Sequence, residues 1–534
     1  MVLTASHLSF TPCNPAVIER ALSPRDARPA TTAEATWGGI RPLPTDQEPY
    51  WQKLKPWSNV TPEEFKTYRW QLANTVPDSR KLHRFLSDVL PDVLGKATKN
   101  PMLNKIRTRE DFIADATAAL KLAPMAIRLT PHLLSVIDWN NPLDDPVRRQ
   151  FLPLASGIVP DHQALTLDSL NEQEDSPVPG LVHRYPGRAL FLVGANTETV
   201  SKSPQKPSRR RWEIVFQHIE SDPSLHDIVV SGGDAYYLQP DDIKEIGERL
   251  LSIPHIQRIR FASKGLAVAP CRITDETDSW TKALIDLSNR GRSMAKQVCL
   301  HTHINHVNEI TWVTRDAANY LFKHGVIVRN QSVLLKGVND TEEDLSNLIK
   351  TLASMNIQPY YIYQCDMVRG VEDLRTPLST ILDLDQKLRG TLSGFMMPAF
   401  VIDLPGGGGK RLVSTKESYK DGVAEYTAPG LPGNKGKRTY KYYDPKPVDD
   451  AAIQELREEQ EQALEQDVPL QDFINPPIPQ QTPFRWPPPS TSNQIPLRTG
   501  PTTDSRPLIN GLQGLPAYHL PHTGSQPSSS AATP

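Results

Sequence analysis

The chain of 534 residues has only four cysteines, Cys13, Cys271, Cys299 and Cys365, and no two of them form a CxxC pair. That scatter argues against a disulfide framework and against a thiolate-bound zinc. No apolar run is long enough to cross a bilayer, and no charged start, apolar middle and cleavage site mark a signal peptide. No membrane partner is therefore expected. An excess of one charge is also missing. Lys and Arg number 59 against 61 Asp and Glu, a formal net charge of −2, so nothing calls for nucleic acid as a partner. Hydrophobic residues make up a low 38% while proline reaches 50 residues, a balance that predicts a globular centre with disordered ends.

Residues 1–45 are rich in Pro, Ala and Thr and are expected to form a disordered arm. No acid precedes Glu19, and Arg20, Arg25 and Arg28 follow it. That is a faint mitochondrial hint; a cytoplasmic location is the main expectation. Residues 46–182 read as a helical region. Thr61 is placed to cap a helix, with Pro62 at its first position and Glu63 and Glu64 facing the positive end of the dipole. Phe65 and Tyr68 follow at helical spacing and should face the core. A second helix is predicted over 109–122.

From 183 to 430, short β-rich apolar runs alternate with amphipathic stretches. The predicted strands are Ala189–Val193, Ile228–Ser231, Ile259–Ala262, Gln297–His301, Val326–Arg329 and Tyr360–Gln364. The predicted helices are Trp212–Ile219, Asp242–Leu251, Trp280–Ser288, Trp312–Phe322, Glu342–Leu352 and Leu382–Leu388. Strand, helix, strand at this spacing means parallel strands joined by crossover helices, hence an α/β barrel or part of one. Its site would lie at the carboxyl ends of the strands. After Lys410 the pattern is less regular. Residues 431–474 read as an extension with a charged helix over 449–465, and 475–534 as a disordered Pro/Ser-rich tail.

The most informative segment is Asp403-Leu-Pro-Gly-Gly-Gly-Gly-Lys410, which follows an apolar run, Phe400-Val-Ile, that reads as a buried strand. Four glycines let the backbone lie close to a flat or anionic ligand. Lys410 would project into the space they clear. A lysine in a partly dry pocket loses its proton more easily and can form an imine with an aldehyde; a mobile turn with a solvated lysine is the alternative. Arg184 and Arg188 stand near the start of the first strand and could hold a phosphate, or lie on the surface. Gly232 and Gly233 end the second strand, either to admit a ligand or to serve a turn. His301 and His303 share one face, as a metal pair would, yet the neighbouring strand ends offer Asn330, Gln331 and Asp366 rather than a full ligand set. Asp366 and Asp403 could receive a cationic amine or cap helices.

Together these segments resemble the lysine 2,3-aminomutase family. The matching stretches are Ser176–Pro186, Ser231–Asp234, His301–Ile310, Asn330–Asp340, Tyr361–Asp366 and Pro405–Lys410, in family order across roughly residues 50–430. The resemblance implies a partial (β/α)6 barrel of the radical S-adenosylmethionine type, behind a helical N-terminal region. It implies 1,2-migration of an amino group on L-lysine or a related amino acid, using pyridoxal phosphate, S-adenosylmethionine and a 4Fe–4S cluster. Lys410 would carry the pyridoxal phosphate, with Arg184, Arg188 and Tyr185 beside its phosphate. Asp366 and Asp403 would receive the distal ammonium of the substrate. Gly232, Gly233, Asp234, His303 and Gln331 would line the S-adenosylmethionine pocket. Assembly as a homo-oligomer is implied as well.

The chain departs from that family in one place. Members carry CxxxCxxC directly after the first strand, and its three thiolates hold the cluster whose open iron binds S-adenosylmethionine. Here the segment reads Leu190-Phe-Leu-Val-Gly-Ala-Asn-Thr-Glu-Thr-Val-Ser-Lys202, with no cysteine between Cys13 and Cys271. An arginine that the family uses for the substrate carboxylate is gone with them. Both flanks still match, so a block is missing rather than mutated. Two expectations follow. Either this sequence is a defective gene model or splice form of an aminomutase, or it is a cluster-less relative that binds pyridoxal phosphate and an amino acid without radical chemistry, as a binding or regulatory protein. Polar pyridoxal chemistry such as racemisation is a third.

Overall fold

The computed structural model describes residues 47–122, 127–194 and 208–446, together with Gln454 and Glu458. The predicted arm 1–45, the segment in place of the cluster loop, the tail 475–534 and, apart from the helical Gln454 and Glu458, the charged stretch 449–465 lie outside the described residues.

The N-terminal region begins as the sequence suggests. The Thr61 side chain accepts from the Glu64 N–H and the Glu64 side chain accepts from the Thr61 N–H, closing a capping box ahead of Pro62–Phe65. The helix does not continue to Tyr68. Thr67 starts a new one, Tyr68–Ala73, by accepting from the Trp70 N–H. Phe65 and Tyr68 are nevertheless both buried. Longer helices follow at Ser79–Val89 (α1) and Arg109–Leu122 (α2). Their apolar faces share a core in which the Trp51 and Phe65 rings stack with centroids 4.0 Å apart.

The second region is a nine-stranded sheet in the order β1 to β9. Its strands are β1 Leu181–Tyr185, β2 Arg188–Leu192, β3 Asp227–Ser231, β4 Arg258–Ala262, β5 Gln297–Thr302, β6 Ile327–Leu334, β7 Ile357–Gln364, β8 Ala399–Leu404 and β9 Gly409–Leu412. Strands β2 to β8 pair in parallel, while β1 and β9 close the two edges antiparallel. Between successive parallel strands run α3 Arg209–Ser221, α4 Pro240–Ser252, α5 Trp280–Ser293, α6 Trp312–Lys323, α7 Glu342–Ser354 and α8 Leu378–Thr391. This is an α/β fold of six β/α units and one further parallel strand, a partial barrel. Each predicted strand and helix of the region falls on one of these elements.

The alternation within the strands explains the architecture. In β3, Ile228 and Val230 are fully buried while Asp227, Val229 and Ser231 are half-buried. In β6, Val328, Asn330, Ser332 and Leu334 are buried and Arg329, Gln331 and Val333 half-buried. The buried apolar positions belong to the large core that the crossover helices share. Each of the nine strands also lends residues to one cavity, many of them polar, among them Arg184, Arg188, Ser231, Arg260, His301, Gln331, Asp403 and Lys410. A parallel sheet covered by helices on one face and curled around a polar space on the other needs this pattern.

Beyond β9 the chain forms a three-stranded antiparallel sheet, β10 Ser418–Lys420, β11 Val423–Thr427 and β12 Thr439–Tyr443. The sequence reading did not anticipate it. It packs through Tyr426, Tyr440 and Tyr442, all buried. Among the described residues, no helix is long and apolar enough to cross a membrane.

Candidate functional site

The cavity enclosed by the strands measures about 400 Å³, within the size range of small-molecule sites. Lys410 reaches it from β9. The hairpin between β8 and β9 brings it there, because the register sets Asp403 directly opposite Lys410. Gly406, Gly407 and Gly409 hold φ of 71°, 86° and 70°, a region open to glycine at no steric cost. At Gly409 a Cβ would stand 2.9 Å from the Tyr185 phenol oxygen. That close approach is used: the Lys410 N–H donates to the Tyr185 oxygen at 2.8 Å. The glycine run thus serves the bend and its contact with β1.

The Lys410 Nζ donates to Asp403 Oδ2 at 2.5 Å and stands 5.4 Å from the centre of the Tyr363 ring. Burial alone would strip its proton, as the sequence reading expected. The Asp403 carboxylate and the Tyr363 and Tyr185 phenols outweigh it and push the lysine pKa above its ordinary value. The expectation of an easily lost proton is corrected: in this arrangement Lys410 is held as an ammonium.

Asp403 also faces Arg184, at 3.8 Å from Nη1 to Oδ1. Arg184 is otherwise engaged, through Nε to Asp175 Oδ2 at 2.6 Å and through Nη2 to the Leu170 carbonyl. Asp175 is paired a second time by Lys435. Arg188 differs. Its guanidinium carbon lies 3.8 Å from the centre of the Tyr185 ring, and among the described residues no carboxylate pairs with it.

Asp366 enters from the end of β7. Burial, then the like charge of Asp403, pushes its carboxyl up to about 7, against the opposing pull of Lys410. Asp366 Oδ1 and Asp403 Oδ1 are both buried without a hydrogen-bond donor among the described residues. Two such acceptors lining one cavity fit a ligand that carries a cation. Glu172 lines the same cavity, and burial raises its carboxyl as well. The sequence reading missed it, along with Arg260, since neither belongs to a motif; Tyr361 and Tyr363 lie in a matching stretch but were given no role.

His303 and Gln331 line the cavity from β5 and β6. His303 Nε2 donates to Asn305 Oδ1 at 3.0 Å. Burial, then the Lys264 ammonium, pulls its imidazole down to about 3, so it is neutral. His301 is held neutral in the same way, by burial and by Arg260 and Arg329. The other three expected residues stand apart. Gly232 has φ of 82°, and a Cβ there would meet the Leu192 backbone at 2.5 Å, so it serves close strand packing. Gly233 has open space around it. Asp234 accepts from the Tyr236 and Lys264 N–H groups at 2.8 and 2.7 Å, the geometry of a turn cap.

The residues present fit pyridoxal phosphate: a half-buried lysine amine in the cavity and, beside it, an arginine without a carboxylate partner among the described residues. They do not fit a 4Fe–4S cluster. Cys271, Cys299 and Cys365 are buried and outside the cavity lining. Burial pushes all three thiols up, Cys299 to about 11 and Cys365 to about 12, so none is a ready thiolate. The segment 195–207 contains no cysteine.

No family model matches the chain. Individual proteins do. L-lysine 2,3-aminomutase of Acetoanaerobium sticklandii is 35% identical over 373 residues, 67% of this chain and 80% of that protein. That of Bacillus subtilis is 33% identical over 374 residues, 68% of this chain and 71% of that protein. Glutamate 2,3-aminomutase of Clostridioides difficile is 27% identical over 369 residues, 67% and 79% of the two chains. Among solved structures, a radical SAM methyltransferase from Sphaerobacter thermophilus matches at 16% identity and a TM-score of 0.26, over 42% of this chain and 68% of that one. By its extent of similarity to the lysine enzymes, the chain belongs to the lysine 2,3-aminomutase family.

Proposed function

We propose that this chain binds pyridoxal phosphate through Lys410 and, beside it, an α-amino acid with a second ammonium group. In this reading it is a cofactor- and amino-acid-binding member of an aminomutase family that lacks the means to start radical chemistry. The observation that carries it is the pairing of an equipped cavity with absent cluster ligands. Lys410, Asp366, Asp403 and Arg188 supply an amine, two acceptors and a guanidinium in one cavity. No cysteine lies in the segment after β2 where the family places three.

Each group has a separate task. Arg188 would meet the cofactor phosphate with a guanidinium that no described carboxylate neutralises. Asp366 and Asp403 would accept from the distal ammonium of a diamino acid, drawing Asp366 fully into its ionised form. Once Lys410 engages the cofactor, its ammonium no longer holds Asp403. The strands, with the loop carrying Leu170 and Glu172, wall the cavity. Pyridoxal phosphate, when bound, supplies an electron sink for bond cleavage at the amino acid's α-carbon.

A second reading rests on the continuity of the match on both sides of Leu192–Thr197. A longer product of the same gene, carrying a cysteine block there, would be an aminomutase acting on lysine or a related amino acid. Sequencing transcripts across those codons separates the two. For the chain as given, anaerobically purified protein should contain little iron, and added pyridoxal phosphate should give a visible absorption band that is lost in Lys410→Ala. Stoichiometric iron, or an unchanged spectrum in that variant, would sink the proposal.

A further inference from the structure

We propose that His183, His218 and Asp222 form a binding site for a divalent transition metal of the zinc class, outside the cavity. One ligand atom from each of the three side chains lies within 4.8 Å of the others. They come from separate places: His183 from β1, His218 from the last turn of α3, and Asp222 from the residue that caps α3.

Three features point to a ligand. His218 Nε2 is buried and has no hydrogen-bond partner among the described residues, a costly state for an imidazole nitrogen unless something fills it. The Asp222 carboxylate is oriented: Ser224 donates to Oδ1 through its N–H at 3.1 Å and its hydroxyl at 2.6 Å. That leaves Oδ2 facing His183 Nδ1 at 3.7 Å, too far for a hydrogen bond. Ligands of a tetrahedral zinc with bonds of about 2.0–2.1 Å stand roughly 3.3–3.5 Å apart, so small rotamer adjustments would suffice. The Ser224 contacts are the outer support that metal-binding carboxylates ordinarily have.

Two imidazoles and one carboxylate suit a borderline cation such as zinc or cobalt, while magnesium and calcium prefer oxygen alone. Three protein ligands leave a coordination position for water. Bound metal would tie β1 to the end of α3, and β1 carries both Arg184 and Tyr185.

The full chain, prepared without an affinity tag and stripped with chelator, is titrated with cobalt(II) chloride. We expect one equivalent to bind, with visible d–d bands of the intensity given by four or five ligands. His218→Gln and Asp222→Asn should each weaken cobalt affinity at least tenfold, without altering the pyridoxal phosphate spectrum. Lack of saturable binding by the wild-type chain, or undiminished affinity in both variants, overturns the site. A readout independent of variants uses diethyl pyrocarbonate and peptide mass spectrometry. Zinc should protect His183 and His218 of the wild-type chain, and equal modification with and without zinc overturns the proposal.

Discussion

The phenol oxygen of Tyr185 accepts a hydrogen bond from the backbone N–H of Lys410 at 2.8 Å, across 225 positions of sequence. Tyr185 ends β1 and Lys410 lies in β9, the two edge strands of the nine-stranded sheet. The bond joins the first and last strands at the point where Lys410 enters the cavity. Placement of the lysine and near-closure of the sheet are thus one structural event.

Tyr185→Phe should therefore cost stability. The substitution keeps the ring under Arg188 but leaves the Lys410 N–H without its acceptor, a loss of roughly 1–3 kcal/mol. A urea titration of the two proteins measures it, and an unchanged midpoint would show that the edges are not tied here. Retention of pyridoxal phosphate should fall in parallel.

Glycine substitutions in the bend separate backbone strain from contact. Gly406 and Gly409 both have positive φ, but only Gly409 has a neighbour, the Tyr185 oxygen 2.9 Å from where a Cβ would sit. Gly406→Ala should cost about 1 kcal/mol from backbone conformation. Gly409→Ala should cost more and should impair the cofactor band. Equal melting temperatures for the two variants would contradict this.

The Asp366 carboxyl, pushed up to about 7 by burial and by Asp403, makes stability depend on pH. Its native value exceeds the ~3.9 of an unfolded chain, so the native state holds the proton more tightly. The contribution is fully present below about pH 4 and is lost as pH rises through about 7. Three units correspond to about 4 kcal/mol at 1.36 kcal/mol per unit, a ceiling that solvent in the cavity lowers. Asp366→Asn should flatten the pH profile between 4 and 7 and be the more stable protein at pH 8. Lysine affinity of the wild-type chain should rise over the same interval, as measured by calorimetry.

The two arginines should part company. Arg184 is buried against Asp175 and Asp403, and breaking such a pair costs about 3 kcal/mol, near the low end because Lys435 still faces Asp175. Arg184→Ala should thus show mainly as lost stability. Arg188→Ala gives up a contact with the Tyr185 ring, about 1 kcal/mol, and should show mainly as weaker pyridoxal phosphate binding. Denaturation midpoints and equilibrium dialysis of both variants decide the matter.

Much of this was legible before any coordinates. The β-rich runs and amphipathic stretches mark the six β/α units, because burial of one strand face and one helix stripe imposes periods of 2 and 3.6. The Thr61–Pro62–Glu64 cap is local chemistry and is read locally. The lack of any cysteine between Cys13 and Cys271 is read from the sequence directly. Lys410 stood out because four glycines precede it.

Only the tertiary structure settled how these pieces meet. The charge of Lys410 depends on Asp403 lying opposite it, and a four-glycine bend leaves that register open. Arg184 looked equivalent to Arg188 until folding set Asp175 and Asp403 around it. Glu172 carries no motif and becomes a cavity residue because the sheet curls. Periodicity specifies which side of an element is apolar, since that depends on neighbours three or four positions away. It does not specify which polar side chains meet across a barrel, since that depends on the closing of loops hundreds of residues long.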